Sequence, residues 1–294
     1  MIVLHVQYYT KMKLLIYILP ILFVATFISC SSDDDDNTTD PVNEVEGLNL
    51  VQQISNDTHS IELFTENGEL EQGYNEITIR IKDKTSDEFV ENASFMWMPM
   101  MHMETMSHSC PKSELLKVAG KETIYKGYIV FQMPENENEG WDLTFNYMVN
   151  GNDFEAVGDI IVPMSPKKRV TVFMGTDQES YILALVGPNT PEVAINDMTV
   201  GLYKMENMMS FPVVENYKVM LDPRMPSMGN HTSPNNEDLM YSTASKMYDG
   251  KLSLTMTGYW KLNLMLQNEN EEVLKGEEVT EENESSSLYL EIEF

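Results

Sequence analysis

The sequence predicts an all-β protein made of two antiparallel β-sandwich domains in tandem. Three observations predict this class. The second half of the chain repeats motifs of the first half, short segments alternate apolar and polar residues with a period of two, and neither half shows a sustained helical apolar period with capping residues. An apolar leader and an acidic spacer precede the two repeated units.

The leader has the layout of a secretory signal. Lys11 and Lys13 precede an apolar run over residues 14–28, which ends at Ser29 and Cys30. This run is shorter than the roughly 18 residues of a membrane-spanning helix, which disfavours the alternative of an uncleaved anchor. The segment 27–30, Phe-Ile-Ser-Cys, resembles the lipobox of bacterial lipoproteins. That resemblance implies cleavage before Cys30 and lipidation of its thiol.

The residues after Cys30 are typical of a flexible tether. Two serines and the four aspartates at 33–36 begin a polar stretch that continues to about Glu46. The stretch resembles the acidic segment of many Bacteroidetes lipoproteins, which is associated with surface display. A calcium loop is excluded, because Thr38 stands where such a loop needs Gly and no helices flank it. We therefore expect a lipid-anchored protein of the cell envelope, in the outer membrane, on its periplasmic or surface face.

The rest of the chain contains the same motifs twice. The pattern His-x-x-Pro-x-x-Glu occurs at 108–114 and returns 123 residues later, as do a Tyr-x-Gly motif and a Met. The matched residues are Tyr125, Gly127 and Met133 with Tyr248, Gly250 and Met256, and Met98-Pro99-x-Met101 with Met225-Pro226-x-Met228. A repeat of this length predicts two domains. The predicted parts are a signal peptide at 1–29 (starting at Met1 or Met12), a lipidated Cys and tether at 30–46, and domains at 47–165 and 166–294.

Each unit has the pattern of short β-strands. Residues 77–82 and 252–257 alternate with period two, and further short runs begin at Trp141 and Trp260 between Gly, Asn and Pro turn signals. Several short strands in about 120 residues, with no helices between them, are typical of an antiparallel sandwich. We therefore predict two tandem immunoglobulin-like sandwiches.

Charge and missing motifs exclude several functions. The chain has 19 Lys and Arg against 47 Asp and Glu, a net charge of −28, which excludes a general nucleic-acid binder and attraction to an anionic membrane surface. There is no Gly-rich phosphate loop and no Gly-x-Ser-x-Gly elbow. Cysteine catalysis by His108 and Cys110 would need an orienting third group. We expect no enzymatic activity.

The unusual feature of the composition is methionine, which accounts for 23 of the 294 residues against roughly 2 % in ordinary proteins. Six Met, two His and one Cys lie within residues 96–110. On an extended strand Met96, Met98 and Met100 share one face, and Pro99 indicates an edge strand or a strand end. The residues beyond Pro99 are expected to form a loop that can fold around an ion.

Thioether sulfur is soft and uncharged, so it binds monovalent copper well and zinc, calcium or magnesium poorly. The candidate copper ligands are Met96, Met98, Met100, Met101, His102, Met103, Met106, His108 and Cys110 in the first unit, and Met225, Met228 and His231 in the second. Two other interpretations stay open. Methionine is a flexible filler of hydrophobic cores, and methionine-rich surfaces also serve as adaptable protein-binding patches.

These residues resemble a known family. Met98-Pro99-Met100-Met101-His102, the Tyr-x-Gly motif at 125–127, Met133 and Gly140-Trp141 are similar to the YtkA-like (FixH-related) domain. The second unit repeats the pattern through Met225-Pro226, Tyr248-x-Gly250, Met256 and Trp260. The resemblance implies an extracytoplasmic β-sandwich of a family often found near copper handling or cytochrome oxidase assembly.

The expected function is that of a lipid-anchored copper-binding protein, a chaperone, scavenger or buffer. The alternative is a metal-independent interaction module of the envelope. The expected partners are the membrane, through the lipid on Cys30, and an envelope protein or copper-transport component.

Overall fold

The computed structural model describes residues 43–294, whose regular structure is almost entirely β-strand. The predicted signal peptide, the lipidation of Cys30 and most of the acidic tether lie outside the described residues. Contacts with the first unit begin inside the segment that the sequence assigned to the tether. The carboxylate of Glu44 accepts hydrogen bonds from the backbone N–H groups of Glu122 (2.7 Å) and Thr123 (2.8 Å), and Val45 packs beside Phe64.

Nine antiparallel strands form the first unit. They are β1 (Asn49–Ser55), β2 (His59–Thr65), β3 (Gly73–Asp83), β4 (Ala93–His102), β5 (Ser107–His108), β6 (Leu116–Lys117), β7 (Ile124–Phe131), β8 (Gly140–Val149) and β9 (Asn152–Ile160). They pair into two sheets, in the orders β1-β2-β3-β7-β6 and β5-β4-β8-β9. Side chains from both sheets, such as Ile79 and Phe145, form one buried core.

This partition of strands has the topology of an immunoglobulin fold. Strands β2, β3, β7 and β6 correspond to the ABED sheet, and β4, β8 and β9 correspond to the CFG sheet. The buried Trp97 lies on β4, the equivalent of strand C, where immunoglobulin domains carry a core tryptophan. The predicted all-β, immunoglobulin-like class is confirmed.

Ten strands and one 3-10 turn form the second unit. They are β10 (Val170–Met174), β11 (Ser180–Gly187), β12 (Ile195–Lys204), β13 (Lys218–Met225), the turn Pro226–Met228, β14 (His231–Thr232), β15 (Glu237–Ser242), β16 (Met247–Ser253), β17 (Tyr259–Gln267), β18 (Val273–Lys275) and β19 (Leu288–Glu293). Strand β15 pairs with both β16 and β13, so the two halves of this sandwich are joined by hydrogen bonds. Within residues 43–294, no helix is long and apolar enough to cross a membrane.

The two sandwiches pack against each other through the outer faces of β3 and β7 and of β10, β11 and β12. A buried apolar cluster joins Val130 of the first unit to Val170, Ile182, Ala184 and Tyr203 of the second. The ring of Tyr128 lies 6.4 Å from that of Tyr203, centroid to centroid. Residues 43–294 accordingly form one body by their contacts.

The Tyr-x-Gly repeat is a structural device that fixes the start of strand C in each unit. The hydroxyl of Tyr125 accepts the N–H of Ala93 (2.8 Å) and donates to the carbonyl of Glu91 (3.1 Å). In the second unit the hydroxyl of Tyr248 accepts the N–H of Tyr217 (3.3 Å) and donates to the carbonyl of Val214 (2.9 Å).

The Met and Trp of the repeat also form a matched pair. The indole N–H of Trp141 donates to the carbonyl of Met133, and that of Trp260 donates to Met256, each at 3.0 Å.

The strand register corrects one match between the repeats. Pro99 pairs with Leu143, two residues after the strand-F Trp141, and Pro223 pairs with Leu262, two residues after Trp260. Pro223 is therefore the equivalent of Pro99, and the matched Met-Pro motif at 225–226 is displaced by three residues. Because methionine is common in this chain, a Met-Pro dipeptide also occurs at a position of the second unit that is not structurally equivalent to Met98-Pro99.

Candidate functional site

Strand β4 separates its methionines between two environments. Phe95, Trp97 and Met101 point into the sandwich, whereas Met96, Met98, Met100 and His102 point outward. The predicted sharing of one face by Met96, Met98 and Met100 agrees with this burial pattern. Their side chains leave the strand about 7 Å apart, because alternate residues of a strand are separated by two rises of about 3.4 Å. We call these four outward residues the thioether stripe.

Pro99 lies where β4 has a neighbour on one side. Strand β8 pairs with the whole of β4, whereas β5 pairs only with Met101 and His102. The N–H of Met103 points to the β5 side, toward the carbonyl of Met106, and N–H groups of alternate residues point to the same side of a strand. The nitrogen of Pro99 therefore faces the open edge, where its missing N–H breaks no ladder bond with β8, in agreement with the edge-strand prediction.

The residues after Pro99 form a hairpin rather than the open loop that the sequence suggested. Strand β4 continues to His102, the N–H of Met103 donates to the carbonyl of Met106 (2.9 Å), and β5 returns beside β4. Met106 lies exposed at this turn, and Met103 packs partly buried against the core. The turn therefore presents Met106 and Glu104 to solvent, apart from the stripe.

His102 is held at the end of the stripe by its neighbours. Its Nε2 contacts the carboxylate of Asp142 on β8, and its Nδ1 lies 3.3 Å from the hydroxyl of Ser107. Asp142 also pairs across the sheet with Met100. A neutral His102 that donates its Nε2–H to Asp142 keeps a lone pair on Nδ1, which is the arrangement that carboxylates impose on metal-binding histidines.

Three candidate ligands of the first unit are buried. Met101 and Cys110 belong to the hydrophobic core, and burial raises the pKa of the Cys110 thiol well above its ordinary value, so the metal-binding thiolate is disfavoured. His108 is buried too, with its Nδ1 2.7 Å from the carbonyl of Ser109 and its ring edge-on to Trp141. These side chains hold the hairpin to the core.

The second unit keeps only one methionine of the stripe, because the corrected register puts the half-buried Met220 of β13 at the position of Met96. Met225 lies in its core, whereas Met228 and His231 are exposed around the turn after β13. By the corrected register, the positions of Met98 and Met100 are taken by Asp222 and Arg224. These two form a bidentate ion pair, with both N···O distances at 2.8 Å.

Sequence reasoning missed three neighbours of the stripe. Asp142 comes from β8, and Ser109 donates its hydroxyl to the sulfur of Met98 (3.4 Å). The N–H of Ser109 donates in turn to the carbonyl of Met208 in the second unit (2.8 Å). The Met208-Met209 pair was visible in the sequence, but nothing local indicated that it meets residue 109.

The chemistry available at this face is that of soft donors beside carboxylates. Asp142 pairs across the sheet with Asp159, and Asn146 pairs with Glu155, so β8 and β9 add negative charge beside the thioethers. Within the described residues 43–294, no group of three or more His, Cys, Asp and Glu side chains could hold a metal ion. That finding covers only His, Cys, Asp and Glu side chains, and the sulfur atoms of methionine are a separate class of ligand.

Comparisons with known proteins give little information about this chain. No family model matches it, and no curated protein matches it. Among solved structures, it is similar to a chimeric titin Z1Z2-Z1Z2 tandem functionalized with a GRGDS peptide from fibronectin. The identity is 10 %, the match covers 84 % of this chain and 97 % of the titin chain, and the TM-score is 0.18. A TM-score this low carries no argument, so the fold class stated above rests on the strand pairing.

Proposed function

We propose that this protein binds monovalent copper on the outer face of its first sandwich, as a lipid-anchored chaperone, scavenger or buffer of the cell envelope. The ligands are drawn from Met96, Met98, Met100 and His102. The lipid anchor on Cys30 and the outer-membrane location belong to this proposal through the leader sequence, and the resemblance to YtkA-like domains supports it.

One observation carries the copper proposal: the thioether stripe occupies positions that the fold does not require to be apolar. The solvated face of an antiparallel sheet is normally polar. The second unit has the same fold and fills the positions of Met98 and Met100 with an ion pair. Packing therefore explains Met101 and Met225, which are buried, but not Met98 and Met100.

The donor set selects the metal. Thioethers and one imidazole favour monovalent copper over harder divalent ions. The unbranched, flexible side chains of Met98 and Met100 can turn toward the Nδ1 of His102. Asp142 would act as a positioning residue, because it fixes the ring from the opposite nitrogen.

The test is an anaerobic titration of the purified protein with monovalent copper against a chromogenic chelator. Replacing Met98 and Met100 by Leu removes the sulfurs and nearly conserves volume. We expect the copper affinity of this double variant to fall about 100-fold, or roughly 2.7 kcal/mol, if both sulfurs are ligands.

The matched control is Met174→Leu with Met240→Leu, two exposed methionines of the second unit. This control should keep the affinity of the wild type. Micromolar or weaker binding by the wild type, unchanged by Met98→Leu and Met100→Leu, would refute the proposal.

A metal-independent interaction module is the second candidate, favoured by the other end of the stripe. Met96 is 73 % exposed and Met148 is 45 % exposed. They line a shallow cavity of about 340 Å³ together with Phe95, Tyr147 and Phe154. Flexible, exposed thioethers on the outer sheet face suit the binding of another envelope protein.

Crosslinking in intact envelopes separates the two candidates. A partner captured equally with and without a copper chelator, and lost from a Met96→Ser, Met148→Ser variant, would favour the interaction module. Capture that depends on copper would favour a copper-transport partner.

A further inference from the structure

The loop that joins β12 to β13 in the second unit reaches the stripe of the first unit. Its two ends are anchored, because Met205 and Phe211 pack against the apolar cluster between the units. Within the loop, the N–H of Met209 donates to the side chain of Asn207 (2.8 Å), and the N–H of Glu206 donates to the carbonyl of Ser210 (3.1 Å). The tip is therefore a defined turn.

Ser109 connects this tip to the stripe. Its N–H donates to the carbonyl of Met208 (2.8 Å), and its hydroxyl donates to the sulfur of Met98 (3.4 Å). Ser109 has no exposed surface, so it is enclosed between the two groups that it joins. One residue thus fixes the backbone of Met208 relative to a proposed copper ligand.

The methionine pair at the tip is not demanded by the fold. Met208 and Met209 are both close to half exposed, and the corresponding connection between β3 and β4 in the first unit, residues 84–92, contains no methionine. The second unit therefore has only Met220 at a stripe position, and its loop brings the backbone of Met208 to Ser109, the residue that contacts Met98.

We infer that the copper site is shared between the two units, and that the Met208-Met209 loop supplies a thioether ligand to the ion held by the stripe. This inference rests on the proposed copper function and extends its ligand set. A row of donors along one strand approaches an ion from one side, and a thioether from the loop that joins β12 to β13 would add a donor from outside that row. Fixed ends and flexible methionine side chains suit that role.

The experiment compares Met208→Leu with Met209→Leu against the exposed-methionine control Met174→Leu with Met240→Leu in the same chelator competition with monovalent copper alone. We expect the loop variant to bind copper about tenfold more weakly, the loss of one ligand, and the control to match the wild type. A second readout is the ¹³C-methyl NMR spectrum, in which the Met208 or Met209 methyl signal should shift on addition of copper.

The outcomes separate this inference from the proposed function. If the loop variant keeps an affinity within about twofold of the wild type while Met98→Leu with Met100→Leu loses it, the shared site is overturned and the copper function stands. If the wild type itself binds no copper, both are overturned. Identical unfolding midpoints for the loop variant and the control show that a lost affinity is not a folding defect.

Discussion

Burial changes the pKa of individual side chains in this protein, and His59 on β2 is the clearest case. Its ring is buried, with Nδ1 3.1 Å from the hydroxyl of Tyr147 and an edge-on contact to Phe154. Burial lowers the pKa of His59 from its ordinary 6.5, although the charge of Asp83 acts in the other direction. The folded protein therefore binds this proton less readily than the unfolded chain.

The consequence is a loss of stability in acid. Below about pH 6.5 the unfolded state takes up a proton that the folded state refuses, so the free energy of unfolding falls as pH drops, by about 1.4 kcal/mol per unit of pKa difference. We expect urea denaturation to show that the free energy of unfolding falls less between about pH 7.5 and about pH 5.5 for His59→Phe than for the wild type. Equal losses would contradict this. Asp83, whose pKa is lowered by the backbone N–H groups of Ser86 and Thr85, titrates below this window.

At the same scale, the sequence could predict the role of some methionines only. Phe95 and Trp97 mark the inner face of β4, so a period of two assigned Met96, Met98 and Met100 to the outer face correctly. Cys110 follows the strand in a segment without a pattern, and its burial in the core could not be read from its neighbours. A thioether is at once a good core group and a soft ligand, so its identity alone does not decide between the two.

At the scale of elements, the repeated motifs specify how strands D and E meet. A Cβ on Gly127 of β7 would lie 2.9 Å from both the carbonyl oxygen of Glu114 and the hydroxyl of Ser113. On Gly250 it would lie 2.7 Å from the carbonyl oxygen of Glu237. These glutamates are the last residues of the two His-x-x-Pro-x-x-Glu motifs, so the motifs match because each pair of strands makes the same close approach.

Adding a methyl group at these glycines should therefore destabilise the protein. We expect Gly127→Ala and Gly250→Ala each to lower the free energy of unfolding by about 1–3 kcal/mol, because backbone must move to admit the Cβ. Gly140→Ala is the control, since a Cβ there meets nothing within 4 Å, and it should change stability by less than about 0.5 kcal/mol. Urea denaturation measures the stability of all three variants. A Gly127→Ala variant as stable as the Gly140→Ala control would show that the strands move apart without a measurable cost.

The elements themselves were predictable because their signals are local, whereas the candidate site was predictable only in part. Alternation on β3 and the repeated Tyr-x-Gly motifs indicated antiparallel sandwiches, whereas the predicted alternating strand at 252–257 was largely wrong, because β16 ends at Ser253 and residues 254–257 lie outside any strand. The register of β13 could not be predicted from the sequence. Met225-Pro226 repeats the Met-Pro dipeptide of β4, but it lies three residues after the true structural equivalent, Asp222-Pro223. The contact of Ser109 with Met208 joins residues far apart in the chain, and no local pattern encodes it.

At the scale of the whole molecule, the two sandwiches are coupled by an interface that is separate from either core. Along β7, Ile129 and Phe131 point into the first core, whereas Val130 lies in the cluster with Ile182 and Tyr203 of the second unit. The interface therefore fixes the second unit against the first without contributing to the folding of either alone. It also sets the position of the Met208-Met209 loop, so the proposed shared site depends on it.

Val130→Glu tests this coupling. A carboxylate at the seam cannot be buried without a cost of several kcal/mol, but on a separated first unit it would lie on a solvated sheet face. We expect the wild type to unfold in one calorimetric transition and Val130→Glu to unfold in two, with each core intact. Val157→Glu, on the half-exposed face of β9, should retain the single transition. A single transition for Val130→Glu at the wild-type temperature would mean that the interface contributes no coupling, and the second unit would then have no fixed place from which to supply a ligand.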